Sequence, residues 1–346
     1  MAASLIDYRG EFQDRLLDLL WRQWTALGVG GQGRSWARTP LDPEALVLLS
    51  CTVARRDPRL FDAMLDWLLS NGRYLNVHRL QRMLATLPFR GASVFAAVAS
   101  TIGTTSREPK WTRSSKAAST GRSIEAEPLF MTSDGLPVPV LRDPDPRFLA
   151  HGLLRDHYHP RHATWLFRPA IDAALLLRLR ALLGVNARCE ILAFLLLHQD
   201  GSPRAMAHAC SYYPATVSKA LAEMGESGFV VSRIEGRRRH YTLVPDTWRT
   251  LLLGEQPSPT WIIWPRLFCA LEHVWHFLQA RERGTESPLA QASALRRILQ
   301  QDAVAGLSSN GLPIVFGGWA QHPGEALLPF FTRQMDDVLN RVHGLG

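Results

Sequence analysis

Three consecutive arginines, Arg237, Arg238 and Arg239, stand in the stretch FVVSRIEGRRRHYTLV at residues 229–244. Two short apolar runs flank the turn that they occupy. Neighbouring guanidiniums repel one another and are costly to bury, so this placement asks for an anionic counterpart. Arginine grips phosphate through two parallel N–H donors, and cations that replace condensed counterions on a polyphosphate gain affinity. The chemistry implied is the binding of a polyanion. Counting Arg233, the stretch sets four arginines against the single acid Glu235. A second basic stretch, residues 105–122, sets Arg107, Lys110, Arg113, Lys116 and Arg122 against Glu108. The two hold seven of the eight excess positive charges of the 346-residue chain. A concentrated excess of this kind favours a polyanionic partner more than a diffuse one does.

Other residues that could do chemistry give weaker patterns. His151, His157, His159 and His162 fall within twelve residues, which raises the question of zinc. Pro160 interrupts the run, no cysteine is close, and no HExxH pattern is present, so surface or packing histidines and no bound metal are expected. Cys51, Cys189, Cys210 and Cys269 lie far apart without a CxxC pair, the pattern of reduced, buried thiols in a cytoplasmic protein. The glycine-rich GVGGQG at 28–33 follows a helical pattern rather than a strand and lacks the Gly-Lys-Ser/Thr of a phosphate-binding loop. Asp336 and Asp337 are adjacent and so point to different helix faces. No nucleophile–base arrangement appears. The expectation is no catalytic residue, no cofactor and no enzyme.

The elements that must position the arginines are legible in 171–253. Apolar periodicity predicts a helix ending at Gly184 and a second helix from a cap at Asn186, with Ile191, Leu192, Leu195 and Leu196 on one face. Ser202 caps a short helix that has Pro203 at its first position. The turn SYYP leads to a further helix in which Val217, Leu221 and Met224 form one buried stripe and Gly228 marks the end. The basic hairpin follows.

The stretch ARCEILAFLLLHQDGSPRAMAHACSYYPATVSKALAEMGESGFVVSRIEGRRRHYTL, 57 residues or about one sixth of the chain, resembles the winged helix-turn-helix of bacterial regulators of the MarR and ArsR type. The resemblance, limited to about residues 186–244, implies a recognition helix for the major groove and an arginine-rich wing for the backbone or minor groove. Carried onto this chain, it nominates Ser202, Tyr212, Tyr213, Thr216, Ser218, Lys219, Arg233, Arg237, Arg238 and Arg239 as DNA-binding residues. Ser202 reads better as a cap than as a base reader. Cysteine pairs of the ArsR metal sensors are missing, and MarR proteins are compact dimers shorter than this chain, so neither metal sensing nor their dimer scheme transfers.

Around this module the sequence predicts a mainly α, multi-helix protein. Residues 1–103 read as an N-terminal helical domain, with helices over 8–27 and three more between 41 and 87, the second of these stopping at a left-handed Asn71-Gly72. The last three could form a second helix-turn-helix or an ordinary small bundle. Residues 104–150, rich in Ser, Thr, Pro and basic residues, read as a partly disordered linker. Residues 151–255 hold the winged helix, and 256–346 form a C-terminal helical domain. There Phe331, Met335, Val338 and Val342 offer a coiled-coil-like seam, either for packing within the chain or for a homodimer. No apolar run is long enough to span a bilayer. The function expected is sequence-specific binding of double-stranded DNA by a cytoplasmic transcriptional regulator of repressor type, working as a homodimer. The alternative is an adaptor or antitoxin-like protein whose winged helix holds a protein partner.

Overall fold

The computed structural model describes residues 5–30, 39–118, 126–132, 135–244, 247–254, 258–281, 287–312 and 317–344. The protein is mainly helical with two small sheets. Six helices open the chain: α1 (Leu5–Ala26), α2 (Pro43–Val53), α3 (Pro58–Asn71), α4 (Val77–Thr86), α5 (Ala92–Ser106) and α6 (Pro109–Ala118). An irregular stretch follows, holding strand β1 (Glu127–Pro128), the one-turn helix α7 (Pro146–Leu149) and strand β2 (Leu153–Leu154), which pairs in parallel with β1. Then come α8 (Leu175–Leu183), α9 (Ala187–His198), β3 (Asp200–Gly201), α10 (Pro203–Cys210), α11 (Pro214–Glu226), β4 (Val230–Glu235), β5 (Arg238–Leu243) and α12 (Thr247–Leu253). Helices α13 (Trp264–Gln279), α14 (Pro288–Leu299) and α15 (Leu327–His343) close it.

Local capping explains many of the boundaries. The carboxylates of Asp42 and Asp57 and the amide oxygen of Asn76 accept backbone N–H groups from the first turns of α2, α3 and α4. Pro43 and Pro58 occupy first positions, where a missing N–H costs nothing. Helix α2, PEALVLLSCTV, is buried along its whole length. A helix with so little polar surface belongs at the centre of a fold.

What covers α2 departs from the sequence-based division. One continuous core unites α1–α7 with α13–α15, so residues 1–103 and 256–346 do not build separate cores. Helix α13 lays Trp264, Leu267, Phe268, Leu271, Val274, Trp275 and Leu278 into it. The seam of α15 is spent inside the chain: Phe331, Met335, Val338 and Val342 are buried, and Asp336 receives hydrogen bonds from Tyr8 and Arg15 of α1 at 2.9 and 2.7 Å. On α14, Ala292, Leu295, Ile298 and Leu299 enter this core, while Leu289 is exposed.

The stretch 104–150 is not a spacer. Part of it is α6, whose Trp111 is fully buried, and Leu129, Phe130 and Phe148 also enter the main core. Its prolines rule out long helices without preventing tight packing. Gly72 is likewise not a left-handed stop; its φ is −57°. It is a close-approach site, since a Cβ there would lie 3.2–3.3 Å from the Trp111 ring. Arg122 and residues 31–33 of the glycine run lie outside the described residues.

A second core is formed by α8–α12 and the three-stranded sheet, ordered β3–β5–β4 with both pairings antiparallel. Helix α8 belongs to both cores, with Leu177 in the first and Leu175, Leu176 and Leu179 in the second. Among the described residues no helix is long and apolar enough to cross a membrane.

The main core contains a buried acid whose hydrogen bonds come from neutral donors. Glu272 on α13 is fully buried and accepts hydrogen bonds from the Thr52 hydroxyl and from the Arg90 backbone N–H at 3.1 Å. Burial lifts its carboxyl to about 7. A raised carboxyl favours the folded state at low pH, and that advantage is lost as pH climbs from its ordinary value near 4.5 through about 7. Glu272→Gln should therefore match the wild type near pH 5 and exceed it at pH 8 by up to about 3 kcal/mol. Urea unfolding at the two pH values checks this, and parallel curves would exclude Glu272 as the source.

Candidate nucleic-acid interface

Helix α11 begins at Pro214 and buries Val217, Ala220, Leu221 and Met224 against α9 and α10. Its other side, with Ala215, Thr216, Ser218, Lys219 and Ala222, is exposed. Small side chains keep that side slim, so the helix backbone can approach a groove closely. Thr216, Ser218 and Lys219 thus share the outward side. Ser202 caps α10 by accepting the Ala205 N–H at 3.3 Å. Beside it Arg204 is exposed on the first turn of α10, a cation that the sequence reading missed although Ser202-Pro203 fixes its position.

The hairpin turns through Gly236, whose φ is +58°, with Arg237 beside it. A glycine at the first central residue is what a two-residue II′ turn requires. Arg238 pairs with Glu235 across the ladder, and Arg239 with Ile234. All three arginines are exposed and have no ion-pair partner among the described residues. Arg233 differs from them. Its guanidinium meets Asp200 at 2.6 Å and Glu235 at 3.2 Å, which ties β4 to β3 and uses its charge within the protein.

The turn between α10 and α11 faces the rest of the protein. Tyr212, nominated for DNA contact, is buried; its hydroxyl donates to Glu190 at 3.1 Å and accepts from Asn76 at 2.9 Å. It is not an outward-facing reader. Tyr213 is exposed, but the Arg82 guanidinium lies 3.3 Å from its ring centroid. Arg82 also donates to the carbonyls of Ser211 and Tyr212 at 3.0 and 2.9 Å. Helix α4 thus clamps the turn, and α2–α4 serve as the support of this module. No local pattern announces such docking, because Arg79 and Arg82 read as ordinary helix-surface cations.

Beneath the turn lies a buried charge network. Arg79 donates to Asp42 and Glu44 at 2.9 Å each and to the Cys210 carbonyl at 2.8 Å. Arg180 of α8 reaches Glu44 at 2.7 Å, Glu190 at 3.0 Å and the Tyr74 carbonyl at 3.0 Å. Burial alone would lower both guanidiniums, but the carboxylates around them raise them further above their ordinary range. Burial, with Glu190 adding to it, pushes the Tyr212 hydroxyl well up, so it remains a proton donor.

The remaining reactive side chains do not gather here. All four cysteines are free and buried, and burial pushes their thiols up, to about 12 for Cys189 and Cys269. His157 and His159 stack on each other with centroids 6.3 Å apart, while His151 lies 3.3 Å from the Ser115 hydroxyl. Among the described residues no group of three or more His, Cys, Asp or Glu is placed to hold a metal ion.

No family model matches the chain, and no curated protein or solved structure matches it.

Arg180→Met leaves Glu44 and Glu190 buried with less counter-charge, which should cost about 3–5 kcal/mol. Because those acids belong to different cores, the variant should unfold in two steps, with 175–253 melting first. Denaturation followed by hydrogen exchange checks this; a single transition at the wild-type midpoint would show that the network does not join the cores.

Proposed function

We propose that residues 175–253 form a winged helix-turn-helix that binds double-stranded DNA, and that the protein is a sequence-specific transcriptional regulator of repressor type acting in the cytoplasm. The observation that carries this reading is the pair of features on one small module: an exposed outward side of α11 bearing Thr216, Ser218 and Lys219, and three arginines at the hairpin tip with no ion-pair partner among the described residues. The order helix, strand, helix, turn, helix, hairpin, with the sheet ordered β3–β5–β4, supports it. In this reading α11 enters the major groove, where Thr216, Ser218 and Lys219 meet base edges. Arg237, Arg238 and Arg239 sit on the backbone or in the minor groove, where released counterions supply affinity. Arg204 adds a phosphate contact near the start of α10. The role is binding, not catalysis. A homodimer would read two half-sites, and it would need a surface other than the α15 seam.

A second reading draws on the apolar surface of the same module. Phe229, Val231 and Leu251 are exposed, and Phe229 borders a pocket of about 320 Å³ lined also by Leu183, Leu192, Met224 and Trp248. Exposed apolar surface of this kind favours a protein partner. Stoichiometric co-purification of a protein that masks the arginines would favour this adaptor reading.

Fluorescence anisotropy on labelled duplexes separates the two. Replacing Arg237 and Arg238 together by alanine should weaken binding to every duplex and flatten the salt dependence by about two phosphate contacts. Lys219→Ala or Thr216→Ala should instead change the preference between the protein's own upstream region and a shuffled sequence. Undiminished affinity of the double arginine variant at about 0.15 M salt would overturn the wing assignment.

A further inference from the structure

Between the hairpin, α10 and the chain leading into α13 lies a cleft of about 900 Å³. One side is aromatic. The rings of Phe194 and His198 stack with centroids 3.9 Å apart and planes 11° from parallel, and Trp261 stands edge-on to both at 5.8 Å. The Phe194 carbonyl lies 3.0 Å from His198 Nδ1 and can only accept, so Nδ1 carries the proton. In the neutral ring Nε2 is then left as an acceptor. The next residues, Ile262 and Ile263, are fastened to the main body through the Ile263 N–H, which donates to the Asn310 carbonyl at 2.8 Å. The other side is cationic, with Arg204, Arg238 and Arg239 unpaired among the described residues.

A site for phosphate alone has no use for three aromatic rings, and a purely apolar ligand would leave three guanidiniums without a counter-charge. A planar, hydrogen-bonding ring system joined to an anion satisfies both sides. We infer that this cleft binds a nucleotide, with its base against the Phe194, His198 and Trp261 side and its phosphates on Arg204, Arg238 and Arg239. Bases of any kind stack on aromatic side chains, so the rings select the class more than the identity of the base. Resting on the DNA-binding reading, the inference adds its regulation: a nucleotide here occupies two of the wing arginines, so nucleotide and duplex compete.

Calorimetric titration of the full chain with ADP, adenosine and pyrophosphate at about 0.15 M salt tests the site without DNA. ADP should bind one to one and at least about tenfold more tightly than either fragment, since linking the two halves makes the second contact intramolecular. Arg204→Ala and His198→Ala, both at exposed positions, should each weaken ADP severalfold with the circular dichroism spectrum unchanged, whereas His198→Ala should leave duplex affinity intact. ADP that binds no better than pyrophosphate, or equally well to both variants, would overturn the site. A protein that binds ADP but no duplex would keep the nucleotide site and end the regulator reading; one that binds duplex but no ADP would do the reverse. Displacement of labelled duplex by ADP completes the link, and simultaneous binding of both would overturn the competition.

Discussion

The arrangement of this protein depends on five charged side chains hidden between its two cores. Asp42 and Glu44 come from the start of α2, Arg79 from α4, Arg180 from α8 and Glu190 from α9, and each is at most 5% exposed. Such a cluster is a poor source of net stability, because desolvation consumes most of the attraction. Its value is directional. Guanidinium forks accept carboxylates only in a narrow geometry, so the network fixes how the α8–α12 module sits on the helical body. A greasy interface of equal area would tolerate sliding.

That fixed seating decides which surface of the module remains free. The α10–α11 turn is held from behind by Arg79, Arg82 and Asn76, and Tyr212 is drawn inward. The exposed surface includes the outward side of α11, the first turn of α10 and the tip of the hairpin, where Lys219, Arg204 and Arg237–Arg239 have no ion-pair partner among the described residues. Arg233 lies on the same hairpin and is neutralised by Asp200 and Glu235. One arginine stiffens the ribbon internally, and three are left to act outward.

Much of this was legible in the residues themselves. Caps at Asp42, Asp57, Asn76, Asn186 and Ser202 are local events in which a side chain meets a backbone two or three residues away, so spacing alone reveals them. The stripe of Val217, Leu221 and Met224 and the glycine at the hairpin turn are equally local. The failures are tertiary. Composition suggested a spacer at 104–150, yet Trp111 and Phe130 found partners remote in sequence. Tyr212 carries a polar tip that suits solvent or a buried carboxylate, and only the position of Glu190 decides between them. The α15 seam has the period of a coiled coil, but α1, more than three hundred residues earlier, already occupies its neighbourhood. Of the nominated interface, the outward side of α11 and the hairpin were visible; the clamp behind the turn and Arg204 were not.

The joining of α2 to α13 has a consequence during synthesis. Thr52 and Glu272, which meet across that junction, are 220 residues apart. At ribosomal rates of roughly 5–20 residues per second, α2 leaves the ribosome about 10–40 s before its cover. The α8–α12 module, whose own core is complete once α12 has emerged, can close in that interval. With α1 and α3–α5 already made, α2 meanwhile lacks the cover that α13 will bring to its remaining side. The nascent chain is thus most dependent on chaperones in its first half, although the basic, solvent-facing ribbon lies in the second.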